Sequence, residues 1–128
     1  MSENVAFEAT MYFRYGRSKR AGVTAETTFD AILRGERTST TRFWNWPGTD
    51  RWARAKPGQL VRFYADKDKS GRSVLVRVTQ VREINLSQSS ATELEEWSKA
   101  EGWSPQAGRE FGAKNGRAVW VQYALAGQ

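Results

Sequence analysis

The stretch that most constrains the fold is the run from Leu60 to Ile84, "LVRFYAD", "KDKSG" and "RSVLVRVTQVREI". Val74, Val76 and Val78 recur at every second position and point one way, and Gln80 has the same parity, so the second run reads as a long strand. The first run is a shorter strand and "KDKSG" a polar turn, which together make an antiparallel hairpin. Around it, "EATMYFRYG" (Glu8–Gly16) reads as a strand and "RAVWVQYALA" (Arg117–Ala126) as a closing strand with Val119, Val121 and Tyr123 in alternation.

Helical signals lie between these strands. In "TAETTFDAILRG", Thr24 is a plausible N-cap, Phe29, Ile32 and Leu33 share a face, and Gly35 stands where a helix C-cap belongs. "SATELEEWSKAEGW" carries a capping box, Ser90 with Glu93, so a second helix is expected to run to about Ala100. "PQAGREFGAKNG" reads as a third helix or an irregular loop, and the Pro-Gly pairs between Trp46 and Gln59 read as turns. The resulting order, strand, helix, loop, two strands, helix, strand, gives an α+β class. A small, mostly antiparallel β-barrel with two or three short helices accommodates it.

Composition removes whole classes of chemistry. The chain has no cysteine and no histidine. It therefore has no disulfide framework, no thiolate zinc site, no Ser-His or Cys-His relay, and no imidazole base. Catalysis is left to carboxylates, Lys, Arg, Tyr and hydroxyls, or to Mg²⁺ or Mn²⁺ held by oxygen ligands. Asp50, Asp66 and Asp68 could supply such oxygens, but their spacing matches no known cation loop and they read as turn residues. The first residues, "MSENVAFEAT", lack the layout of a secretory signal, and no apolar run reaches the roughly 18 residues of a membrane span. A single domain over residues 1–128, cytoplasmic and monomeric, is expected.

The net charge is +6, and it is unevenly spread. Arg34, Arg37, Arg42, Arg51, Arg54, Lys56 and Arg62 face only Glu36 and Asp50 in the same stretch, whereas Glu83 to Glu101 holds five acids and one lysine. A basic first half draws polyanions, most commonly nucleic acid. Within it, "GERTSTTR" (Gly35–Arg42) is either a capped turn with solvated arginines or a ligand-facing loop. In an extended segment Thr40 and Arg42 lie on one side, where a hydroxyl beside a guanidinium can clamp a phosphate or carbonyl. Trp44, Trp46 and Trp52 fall in a turn-rich segment that also holds Arg51, Arg54 and Lys56. Aromatic rings among cations suit unpaired bases, although one or two of these rings could instead plug the barrel. Trp97, Trp103 and Trp120 lie in or beside periodic elements and are expected to pack. Arg17, Lys19 and Arg20 form a basic, Gly-bounded loop, either solvated or gripping a phosphate backbone.

Several of these residues fall into a known pattern. Gly35-x-Arg37-x-x-Thr40-x-Arg42 resembles the G-x-K-x-x-T-x-R signature of the ASCH domain, a member of the PUA-like superfamily, with arginine in the lysine position. "KPGQLVRFY" resembles the family's K-x-G-D strand entry, "AEGW" (Ala100–Trp103) its acidic element after the second helix, and "VWVQYAL" its last strand. The resemblance implies a PUA-like barrel and a cleft for RNA or modified bases. It also implies a catalytic set at Arg37, Thr40 and Glu101, by similarity to enzymes that deacetylate N(4)-acetylcytidine. Arginine stays protonated, so Arg37 cannot take a proton from Thr40, but its planar fork can hold an oxyanion or phosphate. Glu101 is expected at a helix C-terminus, where the dipole disfavours an anion. It is either a solvated acid or an acid kept there for function.

The expectation is a single-stranded RNA-binding domain with ribonuclease activity in a basic aromatic cleft. The binding set would be Arg42, Trp44, Trp46, Arg51, Trp52, Arg54, Lys56, Arg17, Lys19 and Arg20. Hydrolysis of an N(4)-acetylcytidine-type nucleoside, or binding of RNA or a modified base without chemistry, are the alternatives.

Overall fold

The computed structural model describes residues 5–10, 25–64 and 73–127. Five strands and four helices follow in the order β1 (Val5–Thr10), α1 (Ala25–Leu33), β2 (Ser39–Phe43), α2 (Thr49–Ala53), β3 (Leu60–Tyr64), β4 (Ser73–Ile84), α3 (Ala91–Glu101), α4 (Pro105–Asn115) and β5 (Ala118–Leu125). The strands form one sheet, ordered β1-β3-β4-β5-β2. Three of its pairings are antiparallel, and only β1 with β3 is parallel. The class is the expected α+β. The fourth helix is α2, which forms inside a segment whose Pro-Gly pairs read as turns alone.

The sheet curls without closing. Its edges, β1 and β2, would lie about 19 Å apart in a flat sheet of this order, with side chains standing perpendicular to it. Yet the Trp52 ring of α2 packs edge-on against Phe7 of β1 at 4.8 Å and beneath the Arg42 guanidinium of β2 at 5.0 Å. Both edges therefore turn toward α2, which bridges them. Among the described residues no ladder joins β1 to β2, so the expected barrel is a curled open sheet.

Two apolar clusters lie on opposite faces. The inner one gathers Val61 and Phe63 of β3, Val74, Val76 and Val78 of β4, Val119, Val121 and Tyr123 of β5, Phe29 and Ile32 of α1, and Trp52. Leu33, expected on the same helix face as Phe29 and Ile32, is exposed instead. The outer cluster holds Phe43, Ile84, Leu86, Leu94, Trp97, Ala100, Ala118 and Trp120, with Trp103 and Phe111 packed against it. One bulge allows β4 to serve both. Val78 pairs with Tyr123, but Gln80 pairs with Gln122, so Thr79 is the extra residue and the alternation changes phase. Gln80 consequently leaves the face of Val74, Val76 and Val78, contrary to its parity, and Ile84 reaches the outer core beside Ala118.

The outer helices are capped and closely apposed. The Ser90 side chain accepts from the Glu93 N–H, and the Ser104 side chain accepts from the Ala107 N–H ahead of Pro105. α4 approaches its neighbours through Gly108 and Gly112. A Cβ there would meet Trp97 Cζ3 at 2.6 Å and the Ser87 backbone nitrogen at 2.5 Å, so only glycine fits.

Candidate functional site

The site begins where α1 hands the chain to β2. The Arg37 N–H still bonds back to the Ala31 carbonyl at 3.2 Å, while the Thr38 N–H donates to Ala100 O at 2.8 Å. That bond satisfies one of the carbonyls left over at the end of α3. The Thr38 carbonyl in turn accepts from Tyr123 N at 2.9 Å. Arg37 and Thr38 are thus fixed between the C-terminus of α3 and strand β5. Gly102, left-handed at φ 78°, ends α3 immediately after Glu101.

Glu101 is buried, 5% exposed. Its Oε2 accepts from the Ser39 hydroxyl at 2.5 Å, and its Oε1 lies 3.6 Å from Arg37 Nη2. Ser39 Oγ accepts from Trp120 Nε1 at 2.8 Å, and Thr41 Oγ1 accepts from Trp97 Nε1 at 2.8 Å. Arg37 is held as well, its Nε donating to the Ser39 carbonyl at 3.2 Å. Burial raises the Glu101 pKa above the ordinary carboxylate value, against the opposing pull of Arg37 and of hydrogen bonding from Ser39 and Thr41. A carboxyl held between a hydroxyl and a guanidinium is placed to exchange a proton with a bound ligand.

The opposite face of β2 is different. Thr40 pairs with Val121 and Arg42 with Val119, so both side chains point inward, as the alternation requires. Thr40 is 2% exposed, and its hydroxyl makes no hydrogen bond among the described residues. The Arg42 guanidinium rests on Trp52, and its Nε is buried without a partner. The Tyr123 hydroxyl is likewise buried and unpartnered, with the Arg37 guanidinium beside it but outside hydrogen-bond geometry. Burial and the adjacent Arg37 lower the Arg42 pKa to about 10, which leaves it charged at neutral pH. Burial also pushes the Tyr123 pKa up, so its proton stays on and is available to donate.

Of the expected catalytic set, Arg37 and Glu101 meet. Thr40 does not join them, because the period of two in a strand turns it away from Ser39, Thr41 and Glu101. Of the expected binding residues, Trp52 is corrected to a core side chain. It is 3% exposed, with Phe7, Phe63 and Arg42 around its ring, and offers no face to a base. Trp44 and Trp46 are 39% and 43% exposed and lie beyond Phe43, at the far end of β2 from Arg37. Trp44 Nε1 donates to Glu83 Oε1 at 3.1 Å, and Trp46 packs edge-on against Phe43.

The basic residues that follow return along α2. Arg51 lies over the Phe7 ring, Arg54 pairs with Asp50 at 3.1 Å, and Lys56 is exposed. The backbone bonds Gly58 N to Val78 O and Val78 N to Gln59 O place the turn after Lys56 level with Tyr123 and Thr38. Lys56 therefore sits at the Arg37 end of the sheet, about three strand spacings across from Thr38. Arg17, Lys19 and Arg20 lie outside the described residues, as do Asp66 and Asp68. No cluster of three or more acidic metal ligands forms among the described residues.

Ser39, Thr41 and Tyr123, the last expected only as an alternating position of the closing strand, were not among the expected site residues. The available signal was the alternation in "STTRF", which puts Ser39 and Thr41 on the face of the apolar Phe43 and so marks them as buried.

This arrangement, a curled sheet with a helix pair on its outer face, is the fold of solved ASCH domain structures. An ASCH domain structure from Lactobacillus crispatus superposes with a TM-score of 0.60 at 17% identity, over 94% of this chain and 80% of that one. EF3133 from Enterococcus faecalis, a DUF984 protein, matches with a TM-score of 0.63 at 14% identity, over 93% and 76%. A ZmASCH mutant protein from Zymomonas mobilis matches with a TM-score of 0.52 at 11% identity, over 91% and 65%. No protein-family model and no curated protein matches the sequence. Identities this low establish the fold alone.

Proposed function

We propose that this ASCH-type domain binds single-stranded RNA at the Arg37 end of its sheet and cleaves a phosphodiester bond there. The observation that carries this reading is the buried Glu101 carboxyl held against Arg37, with its pKa raised and Arg42 close by. Glu101 takes the ribose 2′-hydroxyl proton as that oxygen attacks phosphorus, then returns it to the departing 5′ oxygen. The protonated guanidiniums of Arg37 and Arg42 hold the charge that builds on the phosphoryl oxygens. Arg51 in α2 and Lys56 beyond it would add cations for the RNA backbone, and the exposed Trp44 and Trp46 offer stacking surfaces at the far end of β2. Thr40 lines the inner face without a base to activate it, which weakens the deacetylase-type reading.

The test is incubation of a labelled single-stranded RNA with the protein, with Mn²⁺ and with EDTA, alongside the Arg37→Ala and Glu101→Gln proteins. Cleavage by the unmodified chain that falls at least about 100-fold in Glu101→Gln is expected. RNA that stays intact under every condition contradicts cleavage. Release of cytidine from N(4)-acetylcytidine would assign the site to the amidohydrolase class instead.

A further inference from the structure

We propose that the inner face of β2 and β5 is a built pocket for the terminal phosphate of an RNA or nucleotide, with Tyr123 Oη and Arg42 Nε as its donors. The proposal rests on the RNA reading of the neighbouring Arg37–Glu101 cluster and specifies what part of the chain enters first. Buried polar groups in folded proteins are almost always paired, because an unpaired one forfeits its hydration without compensation. Here two donors on one face are buried and unpaired, and Tyr123 is only 4% exposed. Thr40 lies between their rows on the same face.

The missing partner must be an acceptor, and the surrounding charge says which kind. Arg37 and Arg42 both act on the Tyr123 hydroxyl, and the one acid in the cluster, Glu101, is bonded to Ser39 across the strand. With Glu101 taken up by Arg37 and Ser39, the Arg42 guanidinium and the phenol suit an oxyanion better than a neutral carbonyl. The floor is closed by Phe63, which contacts both Trp52 and Tyr123 and is itself fully buried. Arg37 and Arg42, both partly exposed, are the side chains by which a ligand would reach this face. A phosphate bound against this buried wall would arrive as a chain end, whereas an internal phosphodiester needs an exit for both neighbours. A terminal phosphate monoester, at a 5′ or 3′ end, meets both conditions.

The experiment compares binding of short uridine oligonucleotides carrying a 5′-phosphate, a 3′-phosphate or hydroxyls at both ends, by fluorescence anisotropy at fixed salt. Inorganic phosphate is tested in parallel by thermal shift. One phosphorylated end is expected to bind about tenfold more tightly than the hydroxyl-ended RNA, the worth of one hydrogen bond to a charged group. Tyr123→Phe and Arg42→Lys, which each remove one donor while keeping ring or charge, should abolish that preference. Tyr123→Phe should also melt about 2–5 °C higher than the unmodified protein without ligand, because it deletes an unpaired buried hydroxyl. A merely structural Tyr123 would lower the melting temperature instead. Equal affinity for all three RNAs overturns the pocket and leaves the RNA reading standing. If no RNA binds, yet phosphate protects the unmodified protein and not Tyr123→Phe, the pocket stands and the RNA reading falls.

Discussion

The two faces of β2 are five residues of the same strand put to different uses. On the outer face, Ser39 and Thr41 are paired with Glu101, Trp120 and Trp97 over an apolar floor. On the inner face, Arg42 Nε and Tyr123 Oη have no partner, and Thr40 makes no hydrogen bond. The outer face does carry one unpaired donor, Arg82 Nε, but that guanidinium is seated on Trp120 and paired to Glu93 at 3.7 Å. A satisfied network fixes side chains in place, and unsatisfied donors are what a ligand can complete. The outer face thus positions Arg37 and Glu101, while the inner face leaves donors that the proposed phosphate would complete.

Substitutions along the strand can break this contrast, and the largest effect belongs to the outer face. Trp97→Ala empties the centre of the outer core and frees Thr41, and should cost about 3–5 kcal/mol in chemical denaturation. Thr41→Val keeps the shape but strands the Trp97 N–H, with an expected loss of about 1–3 kcal/mol. Its neighbour Thr40→Val removes a hydroxyl without a partner, so its stability should change by less than about 0.5 kcal/mol. Comparable losses for the two valine variants would erase the distinction between the faces. At the far end of the strand, Trp44→Ala should weaken RNA binding by the stacking of one base, about 1–3 kcal/mol. Its fold should be nearly untouched, checked by anisotropy and melting on the same sample.

The pH response sharpens the role of Glu101. Its folded pKa lies above its unfolded value, so the folded chain binds the extra proton between the two. Its contribution is therefore present at acid pH and is lost as pH rises from about 4.5 through the folded pKa. Glu101→Gln, which keeps an acceptor for Ser39, should remove that decline. Melting curves from pH 4 to 8 that fall in parallel for both proteins would place the titration elsewhere.

Much of this was legible in the chain, for reasons that particular residues make plain. Ser90 with Glu93 announced α3, and the alternation of Val74 to Val78 and of Val119 to Tyr123 announced the sheet, because both signals are local. The same alternation put Thr40 and Arg42 on one side. What was not legible depended on contacts distant in sequence. Glu101 reaches Ser39 across 62 residues, and no local pattern marks an acid at a helix end as buried. The bulge at Thr79 that turned Gln80 outward leaves no signature in "VRVTQV". Trp52 sits among arginines, and only the curling of both sheet edges onto α2 makes it core. The two exposed tryptophans were correctly distinguished from Trp97 and Trp120, because the latter lie in periodic elements and the former do not.

The most direct test of the central claim follows the side-chain N–H signals of arginine and tryptophan in a nitrogen-15 spectrum while RNA is added. The account predicts that Arg42 Nε–H moves strongly as it gains an acceptor, while Trp97 and Trp120 Nε1–H and Arg82 Nε–H stay in place. Movement of the Trp97 and Trp120 signals with Arg42 unchanged would contradict it, for binding would then occur on the outer face.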